Sequence, residues 1–427
     1  MNTITTEPSP GSRHQIRVLV LACLILFVDG YDLFTLGTIG PSLLHDRSWG
    51  ASAATMGTLG SLTALGMPVG SILAGWAGDR WGRRMPLVVA VVGISVSMLA
   101  AAMAADLTQL GIARVFTGAG VGALAPLVGA IVSDHAPARR RTLHLALAMG
   151  SIGIGGTVSA VLGRVLLAHV DFQMLFLIGA FPIVLVPLIM WIVPDTTHHQ
   201  VHGQQPRRTA ELFTPTRRKV TVLFWIATFA SMALVYSTTA WLPVVMVRSG
   251  YSLNSSLEFM IAFTLGAAGG GVMMALLADR GHLKIVTIAS FSTAAVALLA
   301  LSTNQPRPLL LAISALAGLG SLGCQNLIIS YISSYYPTHL RGTGLGFGLG
   351  VGRIGAIVGP SYLSAATALI TSPRAGFFAF MVPAAIGAIT VTFLPRPQSS
   401  PDTVARLGSR VPLDIQKTSP SVPSEKH

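Results

Sequence analysis

Two carboxylates interrupt a run of apolar residues. Asp29 and Asp32 lie in Asp-Gly-Tyr-Asp, inside a stretch from Val18 to Leu44 that otherwise suits a bilayer-crossing helix. An ionisable side chain at the centre of such a helix costs roughly 2.5–3.5 kcal/mol on insertion scales. A group that expensive faces a bundle interior or a water-filled path, where it moves a proton, an ion or a substrate. The i, i+3 spacing sets both carboxylates on one helix face. There they can share a proton or pair with a nearby cation.

Three arginines also fall inside apolar stretches: Arg114, Arg164 and Arg353. At 1.5 Å per residue, Arg114 lies ~10 Å inside one boundary and Asp32 ~22 Å from the other. In a hydrocarbon core of ~30 Å these depths nearly agree, so Arg114 is expected to meet a first-helix carboxylate. An opposite charge favours the ionised acid, whereas burial favours the neutral one. Withdrawing Arg114 during a working cycle would then drive proton uptake. The alternative is a static pair that fixes helix register. Arg353 lies ~15 Å deep, where a guanidinium can grip a carboxylate bidentately. It can instead serve a backbone carbonyl or Glu258. Arg164 and Glu258 lie nearer a boundary, where they can snorkel, and carry no assignment.

Rings and amides complete the chemistry. Tyr31, Tyr236 and Trp241 can stack on an aromatic ligand; Trp241 suits an interfacial belt equally well. Gln325 and Asn326 need partners inside lipid, so they face another helix or a cavity. The string from Gly344 to Pro360 contains pieces of Gly-x-Gly-x-x-Gly. No strand precedes it, so a dinucleotide site is excluded. Its glycines suit close contact or bending of a helix.

The elements that must position these groups follow from composition. Of 427 residues 52% are hydrophobic and 10% charged, with a mean hydropathy of +0.67. Soluble proteins are about 25% charged. This is a polytopic membrane chain, and its 45 glycines suit tight helix packing. Twelve apolar stretches are each long enough to span. Six run over 18–44, 54–77, 86–104, 108–132, 143–168 and 173–194. Six more run over 219–247, 255–277, 284–303, 308–332, 343–370 and 375–394. The expected organisation is an N-tail 1–17, a six-helix bundle 18–194, a linker 195–218, a second bundle 219–394 and a disordered tail 395–427. Arg13 and Arg17 precede the first stretch like a secretory signal, but no small-residue cleavage site follows, so it reads as uncleaved.

Lys and Arg set the orientation. They concentrate in the N-tail, 80–84, 139–141, 207–219, 280–284, Arg341 and the C-tail. The opposite loops hold only Arg47, Arg248, Arg307 and Arg374. Both termini are therefore expected in the cytoplasm, in the inner membrane. The same bias accounts for the net charge of +13 without nucleic acid. Cys23 and Cys324 sit in apolar segments and imply neither disulfide nor metal. His198, His199 and His202 read as linker rather than a metal tract.

An internal repeat appears at an offset of 200 residues. Asp79-Arg80 matches Asp279-Arg280, Pro137 matches Pro337, and Arg141 matches Arg341. Leu145, Gly150, Ile154, Gly155 and Val158 match Leu345, Gly350, Ile354, Gly355 and Val358. Two halves therefore share one fold, with a binding site expected between them near the midplane. In the loop after the second stretch, Asp79, Arg80, Gly82, Arg83 and Arg84 form a candidate latch, with Asp279 and Arg280 its counterpart in the second half. Asp79 with Arg83 or Arg84 can lock helix ends in one conformation; plain positive-inside charge is the alternative.

Gly75 to Arg84, Gly-x-x-x-Asp-Arg-x-Gly-Arg-Arg, resembles the signature of the major facilitator superfamily, and Asp279-Arg280 resembles its echo in that superfamily's second half. Asp29-Gly-Tyr-Asp32, Trp241-Leu-Pro and Tyr-Tyr-Pro-x-x-x-Arg-Gly-Thr-Gly leading to Gly-Val-Gly-Arg353-Ile-Gly-Ala resemble the aromatic acid:proton symporter family. The resemblance implies an all-α membrane protein, with twelve transmembrane helices in two pseudo-symmetric six-helix bundles. It implies uptake of a benzoate-like or hydroxybenzoate-like anion with a proton, for aromatic catabolism, and a need for Asp29 and Asp32. Proton-driven exporters of the superfamily carry a Pro within their fifth-helix glycine motif. Gly150-Ser-Ile-Gly153-Ile-Gly155-Gly156-Thr lacks it, which weakens export.

The expectation is a secondary transporter, not an enzyme, needing no cofactor or metal and acting as a monomer in the bilayer. Its partners are a small aromatic carboxylate and a proton. Arg114 and the two acids would couple the proton; Tyr31, Arg353, Gln325, Asn326, Tyr236 and Trp241 would bind substrate. The rivals are a proton-coupled exporter, a symporter of a non-aromatic acid, and a membrane enzyme or sensor.

Overall fold

The computed structural model describes residues 12–137, 141–194, 209–215, 217–370 and 372–395. Among these residues twelve long helices follow one another in sequence. The first six are α1 (Ser12–His45), α2 (Ala53–Trp81), α3 (Arg84–Ala102), α4 (Leu107–His135), α5 (Arg141–Leu166) and α6 (Gln173–Ile192). The second six are α7 (Arg218–Arg248), α8 (Leu253–Leu277), α9 (Leu283–Ala300), α10 (Arg307–Tyr335), α11 (Thr338–Leu369) and α12 (Ala375–Thr392). Among the described residues eleven of these are long and apolar enough to span. The remaining one, α11, is diluted by its glycines and carries Arg341 and Arg353. No strand forms among the described residues.

Helix ends follow local chemistry. Ser52 and Thr55 form a reciprocal capping box at the start of α2, and Asp106 accepts from Gln109 N at the start of α4. Helix α1 begins at Ser12, so residues 12–17, expected in the tail, belong to it. Helix α6 is interrupted by a 3-10 turn at Phe181–Val184, where Pro182 removes a backbone donor. The second half of the expected linker opens with a 3-10 turn at Thr209–Phe213. Residues 195–208, with the three histidines, and 396–427 lie outside the described residues.

The sequence repeat is also a packing repeat. A Cβ on Gly66 of α2 would come within 2.0 Å of the Val115 carbonyl of α4; one on Gly266 of α8 would come within 1.9 Å of that of Ala315 on α10. Gly118 against Thr63 and Gly318 against Phe263 repeat the relation from the facing helices, at 1.9 and 1.8 Å. Gly155 of α5 meets Phe27 of α1 as Gly355 of α11 meets Phe229 of α7. Each half thus packs its helices backbone to backbone through paired small residues, the mode that substitutes for a hydrophobic driving force in lipid. The turns repeat too: Gly50 and Gly250 both have positive φ, 58° and 97°, a conformation that side chains resist.

The halves meet along α1 with α7, α2 with α11, and α5 with α8. We call the face bearing the α2–α3, α4–α5 and α10–α11 turns the basic face.

Candidate functional site

A cavity of about 630 Å³ lies between the halves. Its walls are mostly apolar, from Leu33, Pro68, Ile72, Met149, Ile152, Met232 and Leu349. Its polar lining is Asp29, Ser71, Tyr236, Gln325, Asn326 and Arg353. From the level of Arg353 it extends toward the basic face. The opposite end is closed. On the α2–α11 seam, Ser61 Oγ donates to the Ile357 carbonyl at 2.5 Å and meets Ser361 Oγ at 2.7 Å, and Ser364 Oγ donates to the Ala53 carbonyl at 2.9 Å. On the α5–α8 seam, Thr157 and Thr264 hydroxyls meet at 2.8 Å. On the α1–α7 seam, a Cβ on Gly37 would lie 1.9 Å from the Thr239 carbonyl.

The two first-helix acids part company. Asp32 is fully buried and faces α4, where Arg114 Nη1 donates to Oδ1 at 2.5 Å and Nη2 to Oδ2 at 3.4 Å. Arg114 Nε donates to Thr63 Oγ1 at 3.0 Å, and the guanidinium carbon lies 5.9 Å from the Phe176 ring centre. This pair is hidden from water. Removing one partner from such a pair costs about 3–5 kcal/mol. Asp29, one turn earlier, lines the cavity and has no hydrogen bond or ion pair among the described residues. The 100° step per residue separates positions i and i+3 by about 60°. That angle suffices here for one carboxylate to enter the α1–α4 seam and the other the cavity.

Arg353 lies across the cavity on α11. Its Nη1 reaches Met67 Sδ at 3.0 Å and the Tyr236 hydroxyl at 3.5 Å; that hydroxyl itself points to Met67 Sδ at 3.1 Å. A thioether is a weak acceptor and carries no charge. No carboxylate among the described residues lies within ion-pair distance of Arg353. Glu258, weighed above as its partner, is engaged elsewhere: it meets Arg164 Nη2 at 2.8 Å and also pairs with Arg307. Arg164 is on α5 and Glu258 on α8, so this cluster ties the two halves at the closed end. Arg164 and Glu258 were legible as intramembrane charges, but their mutual contact was not.

Two aromatic candidates are not at the cavity. Tyr31 is buried against α6 and donates its hydroxyl to the Leu175 carbonyl at 2.8 Å. Trp241 is fully buried in α7 with Arg248 5.9 Å from its ring centre, so it neither stacks on a cavity ligand nor lies in a lipid belt. Sequence spacing could not tell an inward from a sideways ring on a helix buried on most of its faces.

At the basic face Arg83 pairs with Asp134 at the end of α4, a partner the sequence reading did not weigh. Gly82 ends α2 with a φ of 74°. Arg80 lies over Trp76, its guanidinium carbon 6.0 Å from the ring centre. Arg84 opens α3. The side chains of Asp79, Asp279 and Arg280 lie outside the described residues. No group of three or more potential metal ligands occurs among the described residues.

The family profile described as Major Facilitator Superfamily matches residues 22–360 and 259–422. The gentisate transporter of Corynebacterium glutamicum is 32% identical over 400 residues, covering 91% of this chain and 89% of that protein. The benzoate transport protein of Acinetobacter baylyi is 29% identical, covering 88% of each. Among solved structures, a D-xylose-proton symporter superposes with a TM-score of 0.76 at 16% identity, covering 90% of this chain and 98% of that one.

Proposed function

The chain belongs to the major facilitator superfamily, among relatives that carry aromatic acids, and from that premise we propose that it takes up a small aromatic carboxylate together with a proton. It is a multi-pass membrane transporter, not an enzyme.

The observation that carries the reading is Arg353, a cation in a mostly apolar cavity with no carboxylate of its own. A substrate carboxylate displaces the Met67 contact and accepts two charge-assisted hydrogen bonds from the guanidinium. Tyr236 adds a donor at the same level. The apolar wall around them suits a benzene ring.

Charge balance gives the proton its role. Empty, the cavity holds Asp29 and Arg353, which offset each other across it. A bound anion adds one negative charge. A proton on Asp29 removes it, and the loaded cavity is again neutral when the halves close around it. Asp29 is the proton carrier in this reading because it faces the cavity unpaired. Asp32 and Arg114 stay locked together in this conformation and supply the rigid α1–α4 seam from which Asp29 projects.

With the basic face in the cytoplasm, the conformation is inward-facing. Substrate is released into the cell through the open end, and return to the outward state requires the Arg164–Glu258 tie and the serine and threonine contacts to break. Arg83 and Asp134, with the neighbouring basic loop, form the corresponding tie within the first half at the inner face.

The test is uptake of radiolabelled benzoate or 4-hydroxybenzoate by proteoliposomes. Arg353→Ala should abolish uptake while the purified protein stays monodisperse. Unaltered uptake by that variant would remove Arg353 from the site.

A further inference from the structure

Six polar side chains line the cavity, and they are not equally committed. Ser71 donates to the Gly122 carbonyl at 2.6 Å. Tyr236 and Arg353 share Met67. Asp29 is the acid of the scheme above. That leaves Gln325 and Asn326, two primary amides on α10. Both are half-buried, and neither side chain makes a hydrogen bond among the described residues. Inside a membrane bundle such groups must find partners, because the lipid-level interior offers little else.

Their height matters as much as their type. Arg353 is fifteen residues into α11 from its basic-face end at Thr338. Gln325 is ten residues before the basic-face end of α10 at Tyr335. At 1.5 Å per residue the two lie at depths of roughly 22 and 15 Å, an axial offset of about 7–8 Å. A benzene ring carrying a carboxylate and a meta or para hydroxyl has polar ends separated by a comparable length. A second carboxylate would bring a second charge, and Arg353 is the lone cation among the described lining residues.

We propose that Gln325 and Asn326 form a second polar subsite that reads a ring hydroxyl, so that the transporter selects hydroxylated aromatic monocarboxylates over benzoate. The amide carbonyl accepts the phenolic proton and the amide nitrogen donates to the phenolic oxygen. Benzoate, seated by Arg353, would leave both amides facing a bare ring edge. A site built to hydrogen-bond a substituent discriminates against the analogue that lacks it far better than an apolar pocket discriminates by size. This inference rests on the carboxylate-at-Arg353 reading given above.

The experiment compares kcat/KM for benzoate and 4-hydroxybenzoate in proteoliposomes, for the native chain and for Gln325→Met and Asn326→Leu. Both replacements remove the amide; Gln325→Met nearly preserves volume, and Asn326→Leu keeps the branched shape in a larger side chain. The native chain should favour 4-hydroxybenzoate by roughly tenfold or more, the size expected for one or two hydrogen bonds. The variants should lose that preference through 4-hydroxybenzoate alone, with benzoate within about twofold of native. Benzoate uptake also reports that each variant is folded. Equal native rates for the two acids, or an equal loss on both in the variants, would overturn the subsite while leaving the transport function standing. Failure to transport either acid would instead overturn the carboxylate reading, and this inference with it.

Discussion

Asp29 and Asp32 are one helical turn apart on α1 yet occupy different electrical surroundings. Asp32 is closed against the Arg114 guanidinium, while Asp29 looks into the cavity toward the α11 wall that carries Arg353. Their neutral analogues should therefore fail differently. Asp29→Asn should leave folding intact and permit substrate exchange across the membrane, but lose proton-driven accumulation. Asp32→Ala strands a buried guanidinium and should cost about 3–5 kcal/mol of stability. Thermal denaturation in detergent, run beside counterflow exchange, separates the two. Equal thermal loss in both variants would contradict the division of labour.

Arg353 offers a graded test. Charge-assisted hydrogen bonds contribute about 1.5–3 kcal/mol, which corresponds to roughly 10–150-fold in affinity. Arg353→Lys keeps the charge but loses the fork, so KM should rise with the maximal rate less affected. Arg353→Met loses both and should transport nothing measurable. Uptake kinetics over a range of substrate concentrations checks this; a lysine variant with native KM would argue against bidentate binding.

The closed end predicts a conformational effect. Glu258 is mostly buried, but Arg164 is 47% exposed, so solvent screens the pair. Its contribution to the conformation open at the basic face should be about 0.2–1 kcal/mol, a population shift of roughly 1.5–5-fold. Glu258→Gln should raise alkylation of a cysteine introduced at the buried Ser364 of the α2–α11 seam, in a background lacking Cys23 and Cys324. An unchanged alkylation rate would mean the cluster does not hold the halves together.

The paired glycines make a stability prediction free of any mechanism. Gly66→Ala and Gly266→Ala each set a methyl group against a facing backbone carbonyl and should destabilise by about 1–3 kcal/mol. Gly75→Ala meets nothing within 4 Å and should be close to neutral. Melting temperatures of the three variants decide this, and a similar melting temperature for all three would contradict the packing described for the α2–α4 and α8–α10 pairs.

The sequence made the fold readable because the bilayer leaves few choices. Twenty-residue apolar runs must be helices, and the 200-residue offset declares two alike halves. That offset also marks where function departs from fold. At that offset Arg114 and Arg353 fall opposite Ser314 and Gly153, and aligning α1 with α7 through the Phe27 and Phe229 packing pair sets Ser231 and Leu234 opposite Asp29 and Asp32, so each charge breaks the repeat. Depth counting put Arg114 and Asp32 at one level because depth depends only on rise per residue. Azimuth was harder. Tyr31 and Trp241 sit on helices buried on most of their faces, where no polar stripe tells cavity from seam. Partners contributed by distant segments, such as Thr63 for Arg114, Asp134 for Arg83 and Met67 for Arg353, were not readable at all, since each depends on how helices cross.

The most direct measurement is proton entry accompanying substrate. Proteoliposomes carrying a lumenal pH indicator would receive 4-hydroxybenzoate outside at neutral pH, with protein-free vesicles subtracting passive permeation of the neutral acid. The native chain should acidify the lumen as substrate accumulates, and Asp29→Asn should exchange substrate without acidification. Native uptake that leaves lumenal pH unmoved, or an Asp29→Asn variant that acidifies as fast as the native chain, would contradict the account.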